Sequence, residues 1–168
     1  MTLSKIGRGV LRHTRAALSL ACLGGALAPV DAQRVDRAAH HSFTIRDFRT
    51  ESGVVIPQAT VVYGTYGHLN TAHDNAILLP SHYMANHHGY DWLIGPGKAL
   101  DTSRVFVVAT ELFGNGKSTS PSNTPEPLHG PRFPVTTIRD NVAAVHALLA
   151  SDLGISHLRA IIGFSMGA

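Results

Sequence analysis

Residues 158–168 read LRAIIGFSMGA, and this segment is the clearest indication of the fold class. It begins with a short, mostly apolar run that predicts a strand, and Gly163, Ser165 and Gly167 follow at once in the spacing G-x-S-x-G. A serine in a sharp turn between a strand and a helix takes a strained backbone conformation, which flanking glycines permit because they carry no Cβ. Such a turn exposes the hydroxyl, so Ser165 is the candidate nucleophile. The alternative is that the glycines only allow close packing and that Ser165 is inert.

Two backbone amides are candidates for holding a negative charge beside that hydroxyl. The amide of Met166 lies at the start of the expected helix, where it has no partner within the helix and where helix polarity favours an anion. An oxyanion formed at Ser165 needs a second donor, which we expect from the loop after the first interior strand, residues 80–83. We assign this second donor to the amide of Tyr83.

The residues before this stretch predict a sheet with two kinds of strand. Residues 41–50 alternate between apolar and polar side chains, residues 51–53 (ESG) form a turn signal, and residues 54–63 contain one or two further strands. This pattern predicts an antiparallel hairpin. By contrast, residues 76–79 and 105–109 are continuously apolar, as is typical of parallel strands that are covered on both faces.

A helix is predicted between the second interior strand and the final one. Thr137 and Asp140 are suited to cap its N-terminus, and Gly154 is placed to end it. Apolar residues recur at helical spacing along it: Ile138, Val142, Val145, Leu149 and Leu153. The order of elements predicts an α/β fold with a mostly parallel sheet and an N-terminal antiparallel hairpin. The proline-rich segment 111–135 is too long for an ordinary connection and is expected to form a loop at the rim of a site.

Several short motifs occur in order along residues 43–168 and carry a family resemblance. They are Tyr63-Gly64-Thr65, Leu69-Asn70, Asp74-Asn75, residues 93–101 (LIGPGKALD), Phe133-Pro134, residues 137–140 (TIRD) and residues 163–167. With these motifs the sequence resembles the homoserine O-acetyltransferase branch of the α/β-hydrolase superfamily. The resemblance implies an α/β-hydrolase fold, a nucleophilic serine at Ser165 and acyl transfer through an acyl-enzyme. It also implies oxyanion donors at Met166 and Tyr83.

The position of Ser165 leads to an expectation about the rest of the catalytic machinery. In this fold the triad follows the chain order serine, acid, histidine, and all eleven histidines of the chain precede Ser165. We therefore expect the acid and the base beyond Ala168. Residues 33–168 are expected to be the N-terminal part of an α/β-hydrolase domain that is truncated after the nucleophile turn, and this chain alone is expected to be inactive.

The N-terminus has the pattern of a secretory signal peptide. Residues 1–15 carry only positive charge, residues 16–30 are almost all apolar, and residues 30–32 (VDA) suit cleavage after Ala32. A stable membrane anchor is the weaker interpretation, because a helix of this apolar length rises roughly 22 Å, short of the ~30 Å hydrocarbon core. Lipid attachment at Cys22, the only cysteine, is a further alternative. We expect a signal peptide over residues 1–32 and a secreted or periplasmic protein.

The charge and the histidine pattern argue against two classes of partner. Past Ala32, ten basic residues meet ten acidic ones, so a nucleic-acid partner is not expected. The adjacent pairs His40-His41 and His87-His88 are poorly placed to chelate one ion, because neighbours on a strand point to opposite faces. We interpret them as surface or loop histidines and expect no metal and no cofactor.

These observations leave several hypotheses about function. The leading one is a serine hydrolase that cleaves a small-molecule ester or related acyl compound through an acyl-enzyme. The alternatives are an O-acyltransferase that shares every step up to deacylation, a non-catalytic binding protein on the same scaffold, and a truncated or mispredicted reading frame. Tyr90 and Trp92 are candidates for the wall of an acyl pocket, or else cover the core. The oligomeric state is not predicted.

Overall fold

The computed structural model describes residues 38–168, which form one five-stranded sheet with a single α-helix packed on it. The predicted signal peptide lies outside the described residues. The strands are β1 (Ala39–Arg49), β2 (Val55–Tyr66), β3 (Ala76–Pro80), β4 (Phe106–Thr110) and β5 (Ala160–Ile161), and their order across the sheet is β1-β2-β4-β3-β5. Among residues 38–168, no helix combines the length and the apolar character that a membrane span requires.

The N-terminal hairpin is present as predicted. β1 pairs antiparallel with β2, and the turn between them has Gly53 at a φ of +85°. The predicted second and third strands are one continuous strand, which runs on to Tyr66 and pairs antiparallel with β4. Gly64 therefore lies inside a strand rather than in a loop. A Cβ at this position would lie 2.6 Å from the His87 ring, so the strand contains a glycine where that ring packs against it.

The two continuously apolar segments are interior strands. β3 pairs parallel with β4 on one side and with β5 on the other, which confirms the predicted parallel interior behind an antiparallel hairpin. Leu78 and Val108 pack on the helix side of the sheet, whereas Leu79 and Val107 pack on the opposite side. All four are buried, because both faces of the sheet are covered.

The predicted helix α1 spans Ile138–Ala147 and begins as expected. The Thr137 hydroxyl accepts a hydrogen bond from the Asp140 amide, and the Asp140 carboxylate accepts one from the Thr137 amide at 2.8 Å. The same carboxylate also accepts from the Glu51 amide at 2.8 Å, so it joins the helix to the turn of the hairpin. A single π-helical turn, Leu148–Asp152, continues the helix up to Gly154.

The buried face of α1 differs from the one that the apolar spacing suggests. The buried residues of the helix and the turn after it are Asp140, Ala144, Val145, Leu148 and Leu149. Ile138 and Val142 are 70% and 62% exposed. Each lies about 200° around the helix from the buried residue two positions later, although both share a face with the buried Val145.

The proline-rich segment 111–135 is held in place by the edge of β2. Beyond the end of β4, the amide of Val62 donates to the Ser118 hydroxyl at 2.9 Å, and the amide of Thr60 donates to the Thr119 hydroxyl at 2.7 Å. Ser118, Thr119 and Ser120 are buried. The segment therefore extends the sheet with side-chain hydroxyls in place of a further strand.

Candidate active site

The turn that contains Ser165 has the predicted strained geometry. It follows β5 directly, and Ser165 has a φ of +54°, in the left-handed region that side chains other than glycine rarely adopt. Residues 165–167 then form a short 3-10 turn. Ser165 is exposed. Close packing alone does not account for a serine that is both strained and exposed after a strand.

The two glycines of the motif occupy positions where no side chain fits. A Cβ on Gly163 would lie 2.1 Å from the carbonyl oxygen of Gly167, and a Cβ on Gly167 would lie 2.4 Å from the carbonyl oxygen of Pro80. The first contact closes the turn on itself, and the second brings it against the end of β3. Both glycines are therefore required by the close approach of main chain to main chain.

Tyr90 fixes the distance between the turn and the end of β3. Its buried phenol donates a hydrogen bond to the carbonyl of Pro80 at 3.1 Å and accepts one from the amide of Phe164 at 3.1 Å. The hydroxyl thus bridges the residue before Ser165 and the residue that opens the loop containing Tyr83. The ring of His82 packs edge-on against both Tyr90 and Phe164.

The two predicted oxyanion donors line one cavity. Within residues 38–168, the amides of Tyr83 and Met166 donate to no acceptor. Both residues border a cavity of about 550 Å³, whose wall includes Met84 at a φ of +59°. The remaining lining residues are Ser81, His82, Ala85, Asn86, Leu112, Phe113, Gly114, Asn115 and Lys117. Ser165 adjoins Met166 in the chain but does not itself line this cavity.

The aromatic residues considered for an acyl pocket lie elsewhere. Tyr90 is in the core, and Trp92 is 71% exposed. Neither lines the cavity of about 550 Å³. The apolar residues that line the cavity include Leu112, Phe113 and Met84 instead.

A buried histidine and a buried carboxylate form a pair beside this cavity. The Oε1 atom of Glu111 lies 2.7 Å from Nδ1 of His87 and 2.9 Å from the amide nitrogen of His87. His87 lies in a turn, in line with the expected surface or loop histidine, but it is not at the surface, since His87 and Glu111 are 3% and 1% exposed. Burial lowers the pKa of His87 below its ordinary value of 6.5, against the opposing effect of the hydrogen bond to Glu111.

The hydrogen bonds around His87 define its tautomer. A carboxylate oxygen only accepts, so Nδ1 of the neutral ring carries the proton and donates to Glu111. Nε2 is then an acceptor, and Nδ1 of His40 donates to it across 3.2 Å. The neighbouring His41 contacts Thr65 instead, at 3.1 Å, as expected for adjacent residues on a strand. Within residues 38–168, no three metal-ligating side chains come together in a way that could hold an ion.

One signal in the sequence pointed to Glu111. It is a charged residue directly after a fully apolar interior strand, at the edge of the sheet where sites of open α/β folds occur. Its partner His87 lies 24 residues earlier, in a segment with no periodic pattern. The pairing therefore depends on the tertiary structure.

Comparison with known proteins gives consistent relatives. No family model matches the sequence. The chain is 42% identical to the homoserine O-acetyltransferase of Nautilia profundicola over 134 residues, which covers 70% of this chain and 36% of that protein. It is 39% identical to the ethyl acetate hydrolase of Pseudomonas veronii over 119 residues, which covers 70% of this chain and 34% of that protein.

Solved structures agree with these relatives. The acetyl esterase MekB superposes with a TM-score of 0.74 at 35% identity, over 77% of this chain and 38% of that one. An acetylester hydrolase from Corynebacterium glutamicum superposes with a TM-score of 0.74 at 37% identity, with the same shares of the two chains. The homoserine O-acetyltransferase of Bacillus anthracis superposes with a TM-score of 0.68 at 31% identity, over 77% of this chain and 40% of that one.

The relatives named here are longer than this chain, which spans 34% to 40% of their length. The chain belongs to the homoserine O-acetyltransferase-like branch of the α/β-hydrolase superfamily.

Proposed function

We propose that this protein is a serine hydrolase that cleaves a small-molecule ester, or a related acyl compound, through an acyl-enzyme on Ser165. The observation that carries the proposal is the exposed Ser165 at a φ of +54°, directly after β5. The cavity lined by Tyr83 and Met166 supports it, because the amides of these two residues have no partner within residues 38–168 and are free to donate to an oxyanion. Relatives named as esterases and acetyltransferases support the same chemistry.

In the proposed reaction, the Ser165 oxygen attacks the carbonyl carbon of the ester. The hydroxyl proton passes to a general base, and the carbonyl oxygen becomes an oxyanion that accepts hydrogen bonds from the amides of Tyr83 and Met166. The bond to the alcohol then breaks, the alcohol leaves with the proton, and the acyl group stays on Ser165. Water attacks this acyl-enzyme and releases the carboxylic acid. We assign the base to no histidine of residues 38–168, since in this family the histidine follows the serine along the chain.

A second candidate is an acyltransferase that passes the same acyl group to an alcohol. Relatives named homoserine O-acetyltransferase favour it. The sequence of residues 1–32 favours water as the acceptor, because it supports export of the protein to the periplasm or the medium. An exported acyl-enzyme meets water rather than acetyl-CoA, which is a cytoplasmic metabolite.

A fluorophosphonate probe tests the nucleophile. The protein expressed from its complete reading frame is expected to be labelled, and Ser165→Ala is expected to abolish the labelling. Ser122→Ala, which alters an exposed serine of the proline-rich segment, serves as the matched control and should leave labelling intact. Absence of labelling in the parent protein, under conditions where a reference hydrolase reacts, would instead support the non-catalytic binding protein.

An acceptor experiment separates the two enzymatic candidates. The protein is supplied with ethyl acetate, and in parallel with acetyl-CoA and homoserine. We expect acetate release from the ester without a need for an alcohol acceptor. Consumption of acetyl-CoA that depends on homoserine, without ester hydrolysis, would favour the acyltransferase.

Determination of the N-terminal residue of the exported protein tests the proposed cleavage after Ala32.

A further inference from the structure

The side chain of Glu111 is a buried carboxylate that the proposed reaction does not use. It lies directly after β4 and is 1% exposed. One of its oxygens accepts from the backbone amide of His87 at 2.9 Å and from the ring of His87 at 2.7 Å. The other oxygen accepts from the side-chain amide of Asn115. Three donors thus converge on a single carboxylate.

These donors lie on, or directly next to, two walls of the cavity that Tyr83 and Met166 border. The first wall is the segment after β3, residues 81–86, which contains Tyr83 and ends next to His87. The second wall is the segment after β4, residues 112–115, which ends at Asn115. Asn115 continues the chain of contacts, because its side-chain oxygen accepts from the amides of Lys117 and Ser118 at 3.0 and 3.1 Å. Glu111 therefore contacts the second wall at Asn115 and contacts His87, the residue that directly follows the first wall.

A buried charged group of this kind is an unusual choice if its role were only to fill space. Burying a carboxylate carries a desolvation cost, and replacing a whole buried ion pair by apolar side chains of similar volume is often neutral or stabilising. What the carboxylate adds is direction, since each of its hydrogen bonds fixes an angle as well as a distance. Two further residues accommodate the His87 ring. Gly64 leaves room for the ring, and His40 donates a hydrogen bond to its Nε2.

We infer that Glu111 is a positioning residue, which sets the separation of the two cavity walls and thereby the placement of the Tyr83 amide. It acts through the His87 backbone on the first wall and through Asn115 on the second. The inference rests on the proposed function for its catalytic consequence, because the Tyr83 amide matters to the reaction only as an oxyanion donor. The geometric part, that Glu111 orders the first wall, is measurable without any activity.

The geometric part is tested by amide hydrogen exchange in Glu111→Gln. Within the first wall, the Ala85 amide donates to His82 at 3.0 Å, and just beyond it the Gly89 amide donates to Asn86 at 2.8 Å. We expect both amides to exchange at least tenfold faster in Glu111→Gln. The control is Glu126→Gln, which removes an exposed carboxylate paired with Arg132 in the proline-rich segment and should leave both rates unchanged. Unchanged exchange in Glu111→Gln overturns the inference, whether or not the protein is active.

The catalytic part is tested by separating kcat from KM with an acetate ester. An oxyanion donor acts in the transition state, so we expect Glu111→Gln to lower kcat about tenfold or more and to change KM less than about threefold. An unchanged kcat in Glu111→Gln, with Ser165-dependent labelling of the parent protein, overturns the inference and leaves the proposed function standing. A parent protein that is neither labelled nor hydrolytic contradicts the proposed function, and the exchange measurement alone then decides the geometric part.

A second variant covers the case in which Glu111→Gln does not fold. Asn115→Asp keeps the oxygen that accepts from Lys117 and Ser118, and replaces the donor to Glu111 by an acceptor that repels it. Asn115 is exposed, so folding should survive the change. We expect faster exchange at Ala85 and a lower kcat in this variant as well. If neither the exchange rate nor kcat changes, the inference is overturned.

Discussion

The interior strands and the segments that follow them are held together by different forces. β3 and β4 consist almost wholly of buried apolar side chains, with Leu79, Val107 and Val108 at or near zero exposure. The segments after these strands contain the buried polar side chains, among them Ser81, His87, Glu111, Ser118, Thr119 and Ser120. The first region is stabilised by burial, which has no preferred direction, and the second by hydrogen bonds, which do.

This difference indicates how each region should respond to substitution. A core of apolar side chains tolerates changes of shape that keep the volume. A wall made of buried polar groups loses its geometry when a single donor or acceptor is removed, because the partner is left unsatisfied. The walls of the cavity that Tyr83 and Met166 border are held by hydrogen bonds of this kind, so their geometry is expected to be more sensitive to substitution than the sheet that supports them.

The largest effect is expected at Leu79, in the fully buried interior of β3. Leu79→Ala leaves a cavity in the core and should lower the free energy of unfolding by about 2–5 kcal/mol. Leu79→Met, which conserves the volume, should cost less than about 1.5 kcal/mol. Denaturant unfolding of both variants measures this contrast, and equal losses for the two would contradict the view that volume alone matters here.

The next effect is expected at Ser118, whose hydroxyl accepts from the Val62 amide at 2.9 Å. Ser118→Ala removes almost no volume but leaves the Val62 amide without its acceptor, so a loss of about 1–3 kcal/mol in unfolding free energy is expected. Ser122→Ala, in the same proline-rich segment but exposed, should change stability by less than about 0.5 kcal/mol. If Ser118→Ala lowers the unfolding free energy no more than Ser122→Ala does, the hydrogen bond from Val62 is not what holds this segment.

A pH-dependent effect is expected from His87, whose ring faces Glu111, His88 and His40. Its pKa is lowered in the folded protein, mainly by burial, so below about pH 6.5 the unfolded chain takes up a proton that the folded protein does not. The stability that His87 contributes is present above that pH and is lost as the pH falls towards the folded pKa, with a slope of at most about 1.4 kcal/mol per pH unit. Unfolding curves of the parent and His87→Gln between pH 7.5 and about 5 measure this difference. Parallel pH dependences in the two proteins would contradict the prediction.

The last effect is expected at Tyr90, whose hydroxyl makes two hydrogen bonds beside the turn at Ser165. Tyr90→Phe keeps the ring in the core and removes the hydroxyl that bridges Pro80 and Phe164, at a cost of about 0.5–1.5 kcal/mol per hydrogen bond lost. Tyr90→Phe should also slow fluorophosphonate labelling relative to the parent protein, because the bridge sets the position of the turn at Ser165. Trp92→Phe, at an exposed aromatic residue of the same segment, is the control. Labelling of Tyr90→Phe at the parent rate would show that the glycine contacts alone position the turn.

Much of the fold was predictable from local pattern. The hairpin, the two interior strands, the capping box of Thr137 and Asp140 and the strained turn at Ser165 all depend on residues close together in the chain. Such features follow from side-chain periodicity and from steric limits on the backbone, which act over a few residues. The exposed side of α1 was not predictable in this way, since Ile138 and Val142 have the spacing of core residues.

Local patterns in the amino-acid sequence indicated where the chain extends, where it coils and where it turns sharply beside Ser165. The contacts of His87 with Glu111, and of the Tyr90 hydroxyl with Pro80 and Phe164, arise only once distant parts of the chain fold together. The physical reason is that a polar side chain leaves water only when the fold supplies a partner at hydrogen-bonding distance, and that partner can come from any part of the chain.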